Sequence, residues 1–226
     1  LTKNKMRVTE YYCESKHIRN TRKDTFIQCD LSPEAMLRIK ECIVYNCEAK
    51  VEMDATTYIP VGSGTEVGLL RFLQDADIPI HLQINWKLGK TKMISPHTPD
   101  RKRSATAVEC PDRPGRVVIY VKGAPETTLD HCRDMLCTDP SISVDGRTAE
   151  LGPNERATII EKIEKMAAQP LRVLGLAYWE MDTSEWEQMF DRDASRSPDR
   201  AFEEMMLSGQ ARLTWIGAIG LRDPLR

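Results

Sequence analysis

The chain has 226 residues and a mass of 25.8 kDa; 41% of its residues are hydrophobic, 29% are charged, and its net charge is −2. The 32 Lys and Arg nearly balance the 34 Asp and Glu, so the chain lacks the overall basic field that binds nucleic acid and the Lys/Arg run that binds a membrane surface. This composition is typical of a globular domain and predicts no nucleic-acid partner.

Membrane and secretion signals are absent from the sequence. No apolar run approaches the roughly 20 residues that span a bilayer, and the first ten residues, LTKNKMRVTE, contain no apolar signal segment. We therefore expect any membrane-spanning segment to lie outside this chain.

The seven cysteines are an odd number at irregular spacings, which is not the pattern of a secreted disulfide framework. We expect reduced thiols, as in the cytosol. Two groups have spacings that metal ligands can have: Cys42 with Cys47, and His131-Cys132 with Cys137. Both fall on segments that resemble helices, and neither has a second pair to complete a tetrahedral set. The sequence therefore predicts no metal site.

The first third of the chain shows a strand followed by two helices. Residues 6–13 alternate as a strand does. The segment Ser32-Pro33-Glu34 opens a helix, because it offers an N-cap serine, a proline at the first helical position and an early acid. A second helix is predicted to begin near Thr65-Glu66, directly after a loop over residues 60–64.

The middle of the chain predicts a hairpin beside a basic loop. Residues 95–104, SPHTPDRKRS, are polar and broken by prolines, and a strand follows over 105–110. The turn at 111–115 leads into a second strand over 116–121, so we expect these strands to be antiparallel neighbours. This pairing would bring the basic loop close to Lys122.

The last third predicts a helix, two strands and a polar insertion. Residues 154–168 form an amphipathic helix whose apolar stripe we assign to Ile160, Ile163 and Ala167. A buried strand over 171–178 carries the charged Arg172 near its start. Residues 180–210 are a polar insertion that is helical in part, and 212–221 form the final strand.

The stretch VIYVKGAPETTLDHC (118–132) joins a strand to a helix through an abrupt turn. Gly123 would let a backbone or ligand approach where a Cβ would obstruct it, and Pro125 fixes φ where the helix begins. The result is a rigid shelf with one cation, Lys122, beside it. Taken alone, the stretch is better explained as a strand-to-helix corner with a solvated lysine.

Five stretches together resemble the nucleotide-binding domain of cation-transporting P-type ATPases, in the order that this family shows. They are LTKNKM (1–6), GTEVGLL (64–70), SPHTPDRKRS (95–104), VKGAPE (121–126) and LTWIGAIGLRDPLR (213–226). The resemblance spans the whole chain, although residues 14–57 and 180–210 carry little of it. It implies an α/β (α+β) fold, with a twisted, mainly antiparallel sheet flanked by helices.

The ends of the chain resemble the two hinges of that domain. LTKNKM resembles the continuation of DKTGT, whose aspartate takes the phosphoryl group in the family and is missing here. We therefore expect residues 1–226 to be one nucleotide-binding domain, with adjacent hinge-side strands at 1–13 and 212–226 and no catalytic residue of its own. Asp223 and Arg226 match the second hinge, where the aspartate can reach the ribose; a structural Asp-Pro turn is the alternative.

The resemblance assigns the shelf to the nucleotide. Lys122 would line the cleft, while the small Gly123 and Ala124 would let the adenine ring approach. Glu66, after Thr65, matches the acidic residue near the adenine amino group; its alternative role is that of a helix N-terminal acid.

The phosphates are assigned to basic residues. Arg172 matches the arginine directed at the β-phosphate, with pairing to a structural carboxylate as the alternative. Lys102 falls at the family's cleft lysine. His97 stands where the family usually has phenylalanine, and Pro99 where many members have arginine, so we expect weak ATP affinity. A solvated loop histidine is the alternative for His97.

The resemblance thus implies the ATP-binding domain of a type II P-type ATPase, most like plasma-membrane calcium pumps. Its expected ligands are ATP and ADP, with Mg²⁺ accompanying ATP in the full-length protein. Its expected partners are the phosphorylation and actuator domains of the same parent, a membrane protein of which this would be a monomeric, cytoplasmic part. The alternatives are the equivalent domain of a sodium/potassium-like or proton pump, and an interaction module with weakened ATP affinity.

Overall fold

The computed structural model describes residues 6–19, 31–82, 90–110, 112–143 and 145–223. Most of LTKNKM, the Pro111 position of the predicted turn and the last three residues of the DPLR motif, Arg226 among them, lie outside these described residues.

The predicted strands and helices occur in the predicted order, together with six strands that were not predicted. The strands are β1 (Arg7–Cys13), β2 (Lys16–Arg19), β3 (Lys50–Asp54), β4 (Thr57–Val61), β5 (Thr91–Ser95), β6 (Arg103–Glu109), β7 (Arg116–Gly123), β8 (Cys132–Leu136), β9 (Thr148–Glu150), β10 (Leu171–Asp182) and β11 (Leu213–Arg222). The helices are α1 (Pro33–Tyr45), α2 (Gly64–Asp75), α3 (Pro125–Asp130), α4 (Pro153–Ala167), α5 (Thr183–Trp186) and α6 (Pro198–Leu207), with a π-helical turn at Glu187–Asp191. The six strands that were not predicted are β2 to β5, β8 and β9.

The main sheet is mostly antiparallel, which confirms the predicted fold class. Its strand order is β2-β1-β11-β10-β7-β6-β5, and β8, paired with β9, adds to β11 in parallel. The strands β3 and β4 form a separate hairpin. The predicted antiparallel pairing of β6 with β7 is confirmed, and it places Ser104 opposite Lys122.

The first and last described strands are neighbours, as predicted. β1 pairs antiparallel with β11, with Arg7 opposite Arg222 and Tyr11 opposite Ile219. The two strands approach closely at Gly217, where a Cβ would lie 2.3 Å from the Tyr12 carbonyl oxygen. This close approach explains why a glycine interrupts an otherwise apolar strand.

Helices cover both faces of the sheet, so its central strands are buried on both sides. In β7, Val118 and Tyr120 join the core formed with α1 and α2, whereas Val117, Ile119 and Val121 join the core formed with α4 and α6. This explains the nearly continuous apolar run of β7, since a strand with one solvated face would alternate instead. Each such side chain contributes about 1.5–3 kcal/mol when fully buried.

The helix predicted over residues 154–168 is confirmed, but part of its apolar stripe and one other helix assignment were wrong. In α4, Ile159, Ile163 and Met166 are buried, while Ile160 and Ala167 are exposed. Ile163 is therefore confirmed, whereas the other two positions of the stripe lie one residue earlier than predicted. The segment after His131 is the strand β8, not a helix, because its apolar ends pair with β11 and β9.

The insertion over residues 180–210 is partly helical, as predicted, but it is more than a polar excursion. Trp186, Phe190, Phe202 and Met206 are buried against the sheet. Most apolar residues of this segment lie on faces that contact the core, and Leu207, which is 84% exposed, is an exception. The described part of the chain contains no helix with the length and apolar character needed to cross a membrane.

A buried charge network fastens α1 to the sheet. Arg38 is 1% exposed and pairs with Glu34 at 2.7 Å, with Glu41 at 3.9 Å, and with Glu180 of β10. Its guanidinium carbon lies 4.2 Å from the centre of the Tyr178 ring. Removing one member of such a network leaves other charges buried without their partner, which is costly.

We predict that Arg38→Ala lowers the free energy of unfolding by about 3–5 kcal/mol, the range for breaking a buried ion pair. Urea denaturation measures this. Arg200→Ala is the control, because Arg200 pairs with Glu204 on an exposed helix face and should cost at most about 1 kcal/mol. Equal losses in the two variants would contradict this role of Arg38.

Candidate functional site

A cleft of 720 Å³ opens beside the end of β7 and the start of α2. Of the site residues predicted from sequence, the structure places the following in its lining: Thr65, Glu66, His97, Lys102, Lys122, Gly123, Ala124 and Arg172. These residues are up to 107 positions apart in the chain, and the sheet topology brings them together. Asp223 is the exception, since it is exposed just after β11 and does not line the cleft.

Lys122 forms the floor of the cleft. It is the second-last residue of β7, opposite Ser104 of β6 and Leu176 of β10, and is only 8% exposed. Its Nζ donates to the Asn46 carbonyl oxygen at 2.8 Å and to Glu66 Oε1 at 3.1 Å. A buried ammonium group needs such partners, because an unpaired buried charge is expensive. The solvated-lysine alternative is therefore wrong.

Glu66 has a structural task in addition to its place in the lining. It lies in the first turn of α2, and its N–H donates to the Ser63 hydroxyl at 3.3 Å. Its carboxylate accepts the backbone N–H groups of Glu48 at 3.2 Å and Ala49 at 3.0 Å, besides the Lys122 ammonium. Glu66 therefore ties the helix start to the segment after α1 and to β7.

Arg172 is exposed at the mouth of the cleft, where β10 begins. Its Nη1 donates to the Thr65 hydroxyl at 2.8 Å. No carboxylate among the described residues lies within ion-pair distance of Arg172, so pairing to a structural acid does not explain it there. Its charge is available to a ligand at the mouth of the cleft.

The basic loop over residues 96–102 is a tight turn. Lys102 has a φ of +52°, which costs a residue with a side chain about 1–2 kcal/mol. The turn is closed on both sides, because the Lys102 N–H donates to the Thr98 carbonyl at 2.8 Å and the Lys102 carbonyl accepts from the Ala124 N–H at 2.8 Å. His97 and Lys102 are exposed at the cleft.

Gly123 is explained by packing within the protein, which confirms the backbone alternative of its sequence interpretation. A Cβ there would lie 2.5 Å from the Lys102 carbonyl oxygen and 2.5 Å from the Arg103 Cβ. The space that a side chain would need is thus taken by the adjoining end of β6. An approaching ligand is not required to explain why this residue is a glycine.

Sequence reasoning missed several residues of the lining, among them Asn46 and Ile94. Asn46 is 3% exposed, and its amide donates to the backbone carbonyls of Ser104 at 3.0 Å and Tyr120 at 3.2 Å. An asparagine directly after a helix was the available signal. Ile94 lines the cleft and is 58% exposed. Its signal was weaker, because Ile94 alternates with buried neighbours as an outward strand residue would.

The described residues contain no group of three or more His, Cys, Asp or Glu that could hold a metal ion.

Behind the cleft, Cys42 donates from Sγ to the Val121 carbonyl at 3.5 Å. Burial raises the pKa of this thiol to about 12, although the Lys122 charge opposes the shift. Cys42 is therefore a protonated packing residue and not a nucleophile.

Comparison with known proteins establishes the class to which this fold and cleft belong. The family model described as P-type ATPase, cytoplasmic domain N, matches residues 35–226. The chain therefore belongs to this family, which confirms the resemblance read from its motifs.

Curated relatives match the chain at modest identity. Plasma membrane calcium-transporting ATPase 1 of Gallus gallus is 26% identical over 228 residues, which cover all of this chain and 17% of the relative. Calcium-transporting ATPase 4, plasma membrane-type, of Arabidopsis thaliana is 25% identical over 231 residues, covering all of this chain and 19% of the relative. Calcium-transporting ATPase 2 of Cryptococcus neoformans is 29% identical over 168 residues, covering 74% of this chain and 11% of the relative. The chain thus spans less than a fifth of these relatives.

We predict that Gly123→Ala lowers the free energy of unfolding by about 1–3 kcal/mol without any nucleotide present, because the added methyl group overpacks the β6–β7 contact. Thermal or urea unfolding measures this. Ala124→Gly is the matched control, since it removes one methyl group at the next position and glycine is tolerated at a helix N-cap. Unchanged stability in Gly123→Ala would refute the packing explanation.

Proposed function

We propose that this chain is the ATP-binding domain of a calcium-transporting P-type ATPase. The observation that carries the proposal is the single cleft that gathers Lys122, Glu66, Lys102 and Arg172. The relatives named above support the choice of calcium over sodium/potassium or protons. The proposal places the chain in the cytoplasmic part of a membrane protein.

The cleft has the size and chemistry that a nucleotide needs. Its 720 Å³ fall within the roughly 300–1,000 Å³ of small-molecule sites. Ile94, Leu174 and the stem of Met6 supply apolar surface for a base. Lys102 and Arg172, both exposed, supply positive charge for phosphates. Hydrogen bonds from Lys122 to the ligand would add to these apolar and electrostatic contacts.

The domain would act by positioning ATP rather than by chemistry of its own. Phosphoryl transfer depends mainly on placement and on electrostatic stabilisation of the transferred group. In the proposed pump, this chain holds the nucleotide while a catalytic aspartate outside it receives the γ-phosphate. Mg²⁺ would arrive with ATP and neutralise its phosphates. The phosphorylation and actuator domains would be the partners, and the isolated chain would be an inactive monomer.

His97 keeps a second candidate open, an interaction module with weakened nucleotide affinity. It is exposed, and its imidazole offers less apolar stacking area than a phenyl ring. The described lining of the cleft contains no Phe, Tyr or Trp that could replace it. A measured absence of ATP binding at millimolar concentration would favour this module.

We predict that Lys122→Ala weakens ATP binding by about 1–3 kcal/mol, the range for a charge-assisted contact, or roughly 5- to 150-fold. Titration calorimetry measures the affinity, and far-UV circular dichroism should be unchanged. Lys92→Ala is the control, because Lys92 of β5 pairs with Glu109 of β6 and does not line the cleft. Equal ATP affinity in both variants would remove Lys122 from the proposed site.

A further inference from the structure

One carboxylate outside the cleft holds the loop that brings His97 and Lys102 to it. We propose that Glu203, in the insertion helix α6, is a positioning residue for nucleotide binding, which fixes the loop over residues 96–102 from the side away from the ligand. Glu203 does not line the cleft. The inference rests on the proposed function and gives the insertion a part in it.

Glu203 contacts both ends of the loop. Its Oε1 accepts from the Ser95 hydroxyl at 2.9 Å, at the end of β5. Its Oε2 accepts from Arg103 Nη2 at 2.6 Å, at the start of β6, and lies 3.6 Å from Arg101 Nε. The side chain of Glu203 is 13% exposed and that of Arg103 is 6% exposed. This carboxylate therefore bridges the two strands from which the loop emerges.

The same contacts distinguish the three consecutive cations of the loop, because only two of them pair with Glu203. Arg101 and Arg103 pair with Glu203, whereas no carboxylate of the described residues pairs with Lys102 between them. Burial lowers the pKa of the Arg103 guanidinium, and the Glu203 carboxylate opposes that shift. Glu203 thus pairs with both flanking guanidinium groups, whereas the ammonium group of Lys102 is left to face the cleft.

Glu203 also supports the strained backbone of the loop. Arg103 Nη1 donates to the Arg101 carbonyl at 3.1 Å, and Arg101 Nη1 donates to the Ser95 hydroxyl at 3.1 Å. Both arginines are therefore fixed on either side of Lys102, whose φ of +52° is unfavourable. Such a conformation persists only where the surroundings determine it. Without the Glu203 carboxylate, the turn can relax at Lys102.

Helix α6, which carries Glu203, is packed against the core. Ala201, Phe202 and Met206 bury one face of the helix in the core. The next residue, Glu204, is exposed and pairs with Arg196 at 2.8 Å and Arg200 at 3.3 Å, on the helix surface. Adjacent glutamates on one helix thus provide a test residue and a matched control.

The test compares Glu203→Gln with Glu204→Gln, which remove the same charge without changing side-chain size. In the free protein, we expect Glu203→Gln to shift the backbone amide resonances of residues 96–102, and Glu204→Gln to leave them in place. ATP titration should give about 3- to 10-fold weaker binding for Glu203→Gln and wild-type affinity for Glu204→Gln. Glu203→Asp, which retains the charge, should recover part of the affinity.

A double variant separates positioning from a general loss of structure. If Glu203 acts through Lys102, then Glu203→Gln should weaken ATP binding much less in a Lys102→Ala background than in the wild-type background. Equal weakening in both backgrounds would overturn the inference. The inference would also be overturned if Glu203→Gln and Glu204→Gln gave the same loop resonances and the same ATP affinity. That result would leave the proposed function intact, because the wild-type chain would still bind ATP. Absence of ATP binding by the wild-type chain would overturn the proposed function and this inference together.

Discussion

The cleft depends on one buried ammonium group. Lys122 cannot be left unpaired at the end of a central strand, since an uncompensated buried charge costs several kcal/mol. Its two partners, the Asn46 carbonyl and the Glu66 carboxylate, belong to the segment after α1 and to the start of α2. One charge therefore fixes three segments around the cleft. Lysine has three N–H donors, so these two contacts leave a third for a ligand.

The path of the chain places the cleft beside the strands that enter and leave the domain. Met6, directly before β1, lines the cleft, and its sulfur lies 3.7 Å from the Thr65 hydroxyl. Because β1 is paired along β11, a displacement of these two strands would also displace Met6. Met6 would in turn move Thr65, whose hydroxyl contacts Arg172. Glu203 adds support from the opposite side, so the loop with Lys102 is held independently of the chain ends.

The parts of this structure that local signals determine could be predicted from the sequence. The capped start of α1 at Ser32 and the strand-turn-helix over residues 118–130 are such parts, because propensities and N-cap residues act over a few positions. The motif resemblance supplied the site residues. It could not supply the reason for Gly123, which is a contact with the neighbouring strand, nor the role of Glu203, which is 108 residues from Ser95. The α4 stripe was misplaced for a related reason: several apolar residues fit a helical period, and only tertiary contacts choose among them.

The most direct test of the proposed site is an amide chemical-shift map of the chain during titration with ADP. We expect the largest shifts in residues 64–66, 96–102 and 122–124, which surround the cleft. Residues around a second, 240 Å³ cavity that is lined in part by Tyr12 and Trp215 should not respond. Shifts concentrated at that second cavity, or no saturable shifts at millimolar ADP, would contradict the assignment of the cleft to a nucleotide.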